Sequence, residues 1–130
     1  MAGGGSGKYA RTMLTSHDIA VAWLDAFNRH DVPALIALYA EHATHSSPKI
    51  RVLHPETGGK VVGREAIRAW WAGAVARLPG LRYEAATITA QPDRVVIEYV
   101  RHAPDGPAMP IAEAFDIEDG RVVASRVYHG

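Results

Sequence analysis

The chain has 130 residues, which suits one domain that is large enough to bury its own core. Its 14 Lys and Arg residues balance its 14 Asp and Glu residues, so no net charge attracts nucleic acid or an anionic membrane. Because there is no cysteine, disulfides, thiolate nucleophiles and cysteine-based zinc sites are excluded.

The N-terminal segment is glycine-rich. It opens with MAGGGSGK and offers too little apolar surface to offset the entropy lost on ordering. We expect a flexible arm over residues 1–14 and a single domain over residues 15–130. The first apolar run begins near Ile19 and is broken by Asp25, so no membrane-spanning helix is predicted. We therefore expect a cytoplasmic protein that does not bind membranes.

Two helices are predicted early in the domain. Thr15 with Asp18 three residues later is typical of a helix start, and apolar residues then recur at helical spacing as far as Phe27. After an interruption, Asp31 is suited to cap a second helix, whose apolar stripe extends to Tyr39. The short connection predicts an antiparallel pair of helices.

A third helix is predicted farther along, beginning at Gly63 and ending before Pro79. Its inner face is rich in aromatic residues, because Trp70 and Trp71 share the helical spacing of Ile67. Between the second and third helices, residues 43–53 favour a β-strand and residues 54–60 a loop. These assignments place all three helices before the strands that are predicted from residue 81 onward.

From residue 81 onward the pattern changes to strands separated by turn sequences. Helices followed by strands with short turns indicate an α+β fold with a curved, largely antiparallel sheet. The predicted strands are residues 81–90, 94–102, 109–117 and 121–129.

One of these strands carries a carboxylate where an apolar side chain is expected. Glu113 shares the register of Ile111, Phe115 and Ile117. If it faces an apolar pocket, burial raises its pKa and lets it donate or exchange a proton near neutrality. The alternatives are a pair with an inward arginine such as Arg101, or a strand that reaches solvent at this point.

Two histidines are candidates for partners of Glu113. His129 lies on the last strand, where it is either a second proton carrier or a solvent-facing residue. His45 shares strand parity with Ser47, so both are candidates for the wall of a cavity. No metal site is predicted, because His42 and His45 would face opposite sides of a strand.

Three stretches give the chain a family resemblance: WLDAFNRHDVPALIALYAEHATHSSP, GREAIRAWW and FDIEDGRVVASRVYHG. They resemble the SnoaL-like branch of the nuclear-transport-factor-2-like superfamily, which also holds ketosteroid isomerases, limonene-epoxide hydrolases and scytalone dehydratases. The resemblance implies a cone of three helices packed on a strongly bent sheet, with an internal pocket at its wide end. It also implies a homodimer formed through the outer face of the sheet. The same fold hosts enzymes, binding proteins and oligomerisation modules.

The ketosteroid isomerase pattern is only partly retained. Its oxyanion-hole tyrosine falls at Trp23, and its general-base aspartate falls at Ser47. Its second, protonated acid falls at Glu113, an aromatic lining residue falls at His129, and Trp71 replaces a tyrosine of the third helix. Only the acid at Glu113 therefore keeps its chemical type.

Two functional hypotheses follow. The first is a SnoaL-like enzyme that performs cofactor-independent proton transfer, of isomerase, cyclase or dehydratase type, on a hydrophobic substrate bearing a carbonyl or hydroxyl group. The second is a non-catalytic module that binds a hydrophobic ligand or forms dimers. Candidate catalytic residues are Glu113, His129 and His45, and candidate substrate-binding residues are Trp23, Ser47, Trp71, Tyr83, Tyr99 and Phe115.

Overall fold

The computed structural model describes residues 14–129, so the predicted N-terminal arm lies almost entirely outside the described residues. Within this range the three predicted helices are present, together with a fourth, short helix. The bounds are α1 Ser16–Asn28, α2 Val32–Ile36, α3 Pro48–Leu53 and α4 Arg64–Arg77, with a single 3-10 turn at Pro55–Thr57. No helix in the described range is long and apolar enough to cross a membrane.

The start of α1 agrees with its sequence signature. The Thr15 hydroxyl oxygen accepts a hydrogen bond from the Asp18 backbone N–H at 3.1 Å. In return the Asp18 carboxylate accepts one from the Thr15 backbone N–H at 3.3 Å. This reciprocal capping satisfies two backbone donors that a helix start leaves without partners.

The prediction of one β segment over residues 43–53 is wrong in its second half. Strand β1 spans Tyr39–Ser46, and helix α3 begins two residues later at Pro48. Ser47 causes this switch, because its hydroxyl oxygen accepts a hydrogen bond from the Lys49 backbone N–H at 3.1 Å. Proline is favoured in the first turn of a helix, where its missing N–H costs nothing.

Two further boundaries differ from the sequence prediction. The second helix ends at Ile36, so Tyr39 begins β1 instead of completing a helical stripe. A short strand, β2 Lys60–Val62, follows the predicted loop and pairs antiparallel with β1. Both differences arise from strand pairing, which helical periodicity does not report.

The strands form one curled, unclosed sheet in the order β2-β1-β6-β5-β4-β3. All neighbours are antiparallel except β1 and β6, which are parallel. The predicted α+β architecture is therefore confirmed. The four later strands are β3 Arg82–Gln91, β4 Arg94–Ala103, β5 Gly106–Glu118 and β6 Arg121–His129.

Trp23 lies at the centre of the core between α1 and the sheet. Its ring lies 5.3 Å from that of Phe27, 5.8 Å from Tyr83 and 5.2 Å from Phe115, measured between centroids. The Asn28 side chain then ties the end of α1 to β3 through two hydrogen bonds with the Tyr83 backbone, each 2.8 Å. These contacts fix where the first residues of β3 lie.

Candidate functional site

Glu113 lies on β5 with its side chain fully buried. The Tyr99 hydroxyl donates a hydrogen bond to Glu113 Oε1 at 3.0 Å. Arg101 does not pair with Glu113, because both of its terminal nitrogens donate to Asp105 at 3.1 Å. Of the three readings that the sequence leaves open, the arginine-paired and solvent-reaching ones are excluded by this geometry.

The environment of Glu113 favours its neutral form. Burial raises the pKa of Glu113 to about 8, and the hydrogen bond from Tyr99 only partly opposes this effect. At neutral pH most of the carboxyl groups are therefore protonated. Since Oε1 accepts the hydrogen bond from Tyr99, we place the acid proton on Oε2.

His45 extends from β1 into the same buried region. Its Nδ1 lies 3.9 Å from Glu113 Oε2 and 2.7 Å from the Ser125 hydroxyl oxygen. Burial lowers the pKa of His45 to about 3, so its imidazole is neutral at physiological pH. A neutral carboxylic acid and a neutral imidazole thus lie side by side in the interior.

Two separate hydrogen bonds join the buried polar groups around His45. The Trp23 indole N–H, which can only donate, donates to the Tyr39 hydroxyl oxygen at 3.0 Å. The Ser125 hydroxyl lies 2.7 Å from His45 Nδ1 and can donate to it. We take Ser125 as the donor of this pair, which leaves the His45 proton on Nε2.

Three buried polar atoms of this cluster have no hydrogen-bond partner among the described residues: Glu113 Oε2, His45 Nε2 and Trp71 Nε1. The Trp71 and His45 rings lie 5.0 Å apart between centroids, so the three atoms belong to one region. Each unpaired buried group costs about 1–3 kcal/mol. With the protonation described above all three are donors, which suits an acceptor such as a carbonyl oxygen.

A small cavity of about 50 Å³ opens beside the C-terminal end of α4. Sites for drug-sized ligands measure roughly 300–1,000 Å³, so the side chains around this cavity must move to admit a substrate. Its lining includes four of the six predicted substrate-binding residues, namely Ser47, Trp71, Tyr83 and Tyr99.

The other two predicted substrate-binding residues, Trp23 and Phe115, are not part of the lining. They are fully buried in the core, where they pack against each other. Glu113 and His45 also lie behind the lining, and Trp71 both lines the cavity and contacts the His45 ring. Trp71, which contacts His45, and Tyr99, which donates to Glu113, are therefore the lining side chains that lie between the cavity and the buried pair.

His129 lies apart from the buried pair. Its side chain is exposed on the rim of the cavity, and its backbone pairs with Ile111. Burial lowers the pKa of His129, and the positive charges of nearby Lys49 and Arg101 lower it further. Its imidazole is therefore neutral at pH 7. The structure thus brings His45 to Glu113 and leaves His129 at the entrance.

Sequence reasoning missed two members of the cluster, Ser125 and Tyr39. Ser125 meets His45 because β1 and β6 pair in parallel, which joins positions 80 residues apart. The available signal was a lone hydroxyl in an otherwise apolar strand register beside Val127. No group of three His, Asp or Glu side chains within residues 14–129 is arranged to hold a metal ion.

Comparisons with known proteins agree with this architecture. The SnoaL-like domain family matches residues 20–125 of the chain. A SnoaL-like protein of unknown function from Burkholderia thailandensis is 32% identical, with a TM-score of 0.75 over 84% of this chain and 88% of that one. No protein of curated function matches the sequence.

More distant structures share the fold. A proposed polyketide cyclase from Sinorhizobium meliloti is 22% identical, with a TM-score of 0.73 over 85% of this chain and 94% of that one. A protein with a ketosteroid isomerase-like fold from Catenulispora acidiphila, in complex with trimethylamine, is 24% identical, with a TM-score of 0.69 over 88% and 86%. The chain belongs to the SnoaL-like domain family.

Proposed function

We propose that this protein is an enzyme that moves protons on a hydrophobic small molecule bearing a carbonyl or hydroxyl group, without a cofactor. The observation that supports this most strongly is the cluster of three unpartnered donors on Glu113, His45 and Trp71. A structural core does not gain stability from such a cluster, whereas a bound carbonyl oxygen would satisfy it.

The chemistry follows from the direction in which the donors act. Isomerisation, cyclisation and dehydration of this kind begin when a base removes a proton from carbon next to a carbonyl, and the electron pair moves onto the oxygen. Donors that are already in place stabilise that oxygen as its charge grows. The neutral Glu113 acid would serve here, as a neutral aspartic acid does in ketosteroid isomerase.

His129 is the base that this proposal assigns. It lines the cavity, and its neutral imidazole is free to accept a proton. Since Ile111 faces His129 in the sheet and Glu113 lies two residues farther along β5, the backbone positions of His129 and Glu113 are offset by about 7 Å along the strand. A carbonyl and its neighbouring carbon can occupy that interval once Trp71 has moved.

Deuterium exchange tests the proposal without knowledge of the natural product. The protein is incubated in D2O with 2-tetralone and 1-indanone, and loss of the proton signals next to the carbonyl is followed by NMR. We expect exchange above the buffer rate, and a loss of about 100-fold in Glu113→Gln, as for removal of a general acid. Glu118→Gln, an exposed change on the same strand, is the matched control.

Exchange that is equal in Glu113→Gln and the parent protein would remove Glu113 from the mechanism.

A second candidate function, the non-catalytic binding module, is favoured by the position of Glu113 and His45 behind the cavity lining. It predicts that these ketones bind and cause chemical-shift changes around Trp71 and Tyr83, without any exchange above the buffer rate.

A further inference from the structure

The rim of the cavity is basic. Lys49, Arg77, Arg101 and His129 contribute to its lining, and no Asp or Glu does. The whole chain has a formal net charge of +0, so this concentration of positive charge is a local arrangement. Basic groups at the entrance to an apolar cavity raise the local concentration of anions.

One carboxylate compensates part of this charge. Asp105 accepts both hydrogen bonds from Arg101 and also lies 3.3 Å from Lys49 Nζ. Arg77, in the last turn of α4, forms no ion pair with any residue of the described range. Three permanent cations, Lys49, Arg77 and Arg101, thus line the cavity, and Asp105 compensates one of them, which leaves an excess of two positive charges beside the neutral His129.

Arg101 shows that this positive charge is built into the wall. Its side chain is only 8% exposed, and Asp105 holds its guanidinium in a bidentate pair. A structural role for Arg101 would be complete with this pair, because one carboxylate neutralises one guanidinium. Lys49 shares the same carboxylate and Arg77 stands outside this pair, so the positive charge of the cavity lining exceeds what Asp105 neutralises.

The positive charges of the rim act on other groups at the entrance to the cavity. Lys49 and Arg101 both disfavour the protonated form of His129, so both lie close enough to influence its charge. An anionic group at the same place would experience the opposite, favourable interaction. Immediately inside the rim the lining turns apolar and aromatic, with Trp70, Leu78 and Tyr83.

We propose that the cavity takes amphipathic anions, whose apolar part enters among the aromatic side chains while a carboxylate binds Lys49 and Arg77 at the rim. The amphipathic anion would be the substrate class of the proposed enzyme, and this part of the inference rests on the proposed function. The binding preference itself does not depend on catalysis. The ligand is therefore an aromatic or alicyclic carboxylic acid that also bears a carbonyl or hydroxyl group.

A pair of probes that differ in charge alone tests the proposal. Binding of 1-naphthaleneacetate and of 1-naphthaleneacetamide is measured by calorimetry at low salt. We expect the acetate to bind about tenfold or more tightly than the amide, with the difference shrinking at about 0.5 M NaCl, where the Debye length is only a few Å. Equal affinities, or failure of both probes to bind, would overturn the proposal.

Variants of the rim residues then show which side chains cause the preference for the acetate probe. Lys49→Gln and Arg77→Gln are each expected to weaken acetate binding about threefold or more and to leave amide binding unchanged, since each removes one cation from the rim. The matched control is Arg121→Gln, an exposed change at the opposite end of β6 from His129. An acetate preference that survives in the Lys49→Gln/Arg77→Gln double variant would contradict the proposal.

The same probes separate this inference from the proposed function. Glu113→Gln removes the acid but no charge from the rim, so it is expected to keep the acetate preference. If ketone exchange is absent while the acetate preference depends on Lys49 and Arg77, the enzyme proposal fails and the anion site stands. If exchange occurs while the two probes bind equally, the anion site fails alone.

Discussion

Glu113 Oε2 and His45 Nδ1 lie 3.9 Å apart inside the protein, and both side chains have no exposed surface. Burial acts on them in opposite directions, since it raises the pKa of the acid and lowers that of the imidazole. Both groups are therefore neutral at pH 7. Each also couples protonation to folding, because neither keeps such a pKa in the unfolded chain.

The free energy of unfolding is expected to fall as pH rises from about 6.5 to about 8. The pKa of Glu113 changes from 4.5 to about 8 on folding, so its contribution is complete below about 4.5 and is lost as pH rises towards about 8. The pKa of His45 changes from 6.5 to about 3, so its contribution is complete above 6.5 and is lost on acidification. Between about pH 4.5 and 6.5 the contributions of Glu113 and His45 to the free energy of unfolding change in opposite directions with pH.

Urea denaturation across this pH range, for the parent protein and Glu113→Gln, measures the effect. The difference in the free energy of unfolding between the parent protein and Glu113→Gln is expected to change by up to about 1.4 kcal/mol per pH unit between pH 6.5 and 8. A difference that stays constant over this interval would show that Glu113 does not titrate there.

Tyr99→Phe is expected to raise the pKa of Glu113. The Tyr99 hydroxyl donates to Glu113 Oε1, and this hydrogen bond favours the ionised carboxylate. Tyr128→Phe is the control, because Tyr128 is exposed and lies in register with Ala112, on the opposite face of the sheet from Glu113. Carboxyl-detected NMR titration compares them, and equal shifts in both variants would rule out a specific role for Tyr99.

Ser125→Ala is expected to destabilise the protein by about 1–3 kcal/mol, because it leaves His45 Nδ1 buried without its hydrogen-bond partner. Ser46→Ala is the control, since Ser46 follows His45 in β1 and faces the other side of the sheet. Chemical denaturation at pH 7 measures both. A loss in Ser125→Ala no larger than that in Ser46→Ala would mean that the bond to His45 does not orient the imidazole.

Asn28→Ala is expected to cost about 1–3 kcal/mol, since the Asn28 side chain makes two hydrogen bonds to the Tyr83 backbone. The change should also loosen the start of β3 and speed hydrogen exchange of the Tyr83 amide. The exposed change Gln91→Ala, at the other end of β3, is expected to stay within about 0.5 kcal/mol. Unchanged exchange at Tyr83 in Asn28→Ala would contradict this role.

Local signals were sufficient for most of the fold. The capping pair Thr15 and Asp18 placed the start of α1, and the alternation around Glu113 placed its side chain in the interior. Ser47 followed by Pro48 is also a local signal for a helix start, although the β-branched residues that follow suggested a strand. Each of these features depends on neighbouring residues alone.

The site could be predicted only in part, because its contacts join distant segments. The pairing of His45 with Ser125 depends on a parallel register between the first and last long strands, which no local pattern encodes. Likewise the preference of Arg101 for Asp105 over Glu113 depends on the turn after β4. Sequence alone therefore pointed to the acid and named His45 and Tyr99 as candidates, but it did not predict the contact of His45 with Ser125 or the burial of Tyr39 beside them.

The pKa of Glu113 tests the central claim most directly. It is measured by carboxyl-detected NMR titration of the parent protein, with Glu113→Gln used to assign the signal. We expect a value near 8, well above the 4.5 of an ordinary glutamate, since the carboxyl is buried and pairs with no arginine of residues 14–129. A value at or below 4.5 would show a solvated or ion-paired carboxylate and would exclude a neutral buried acid.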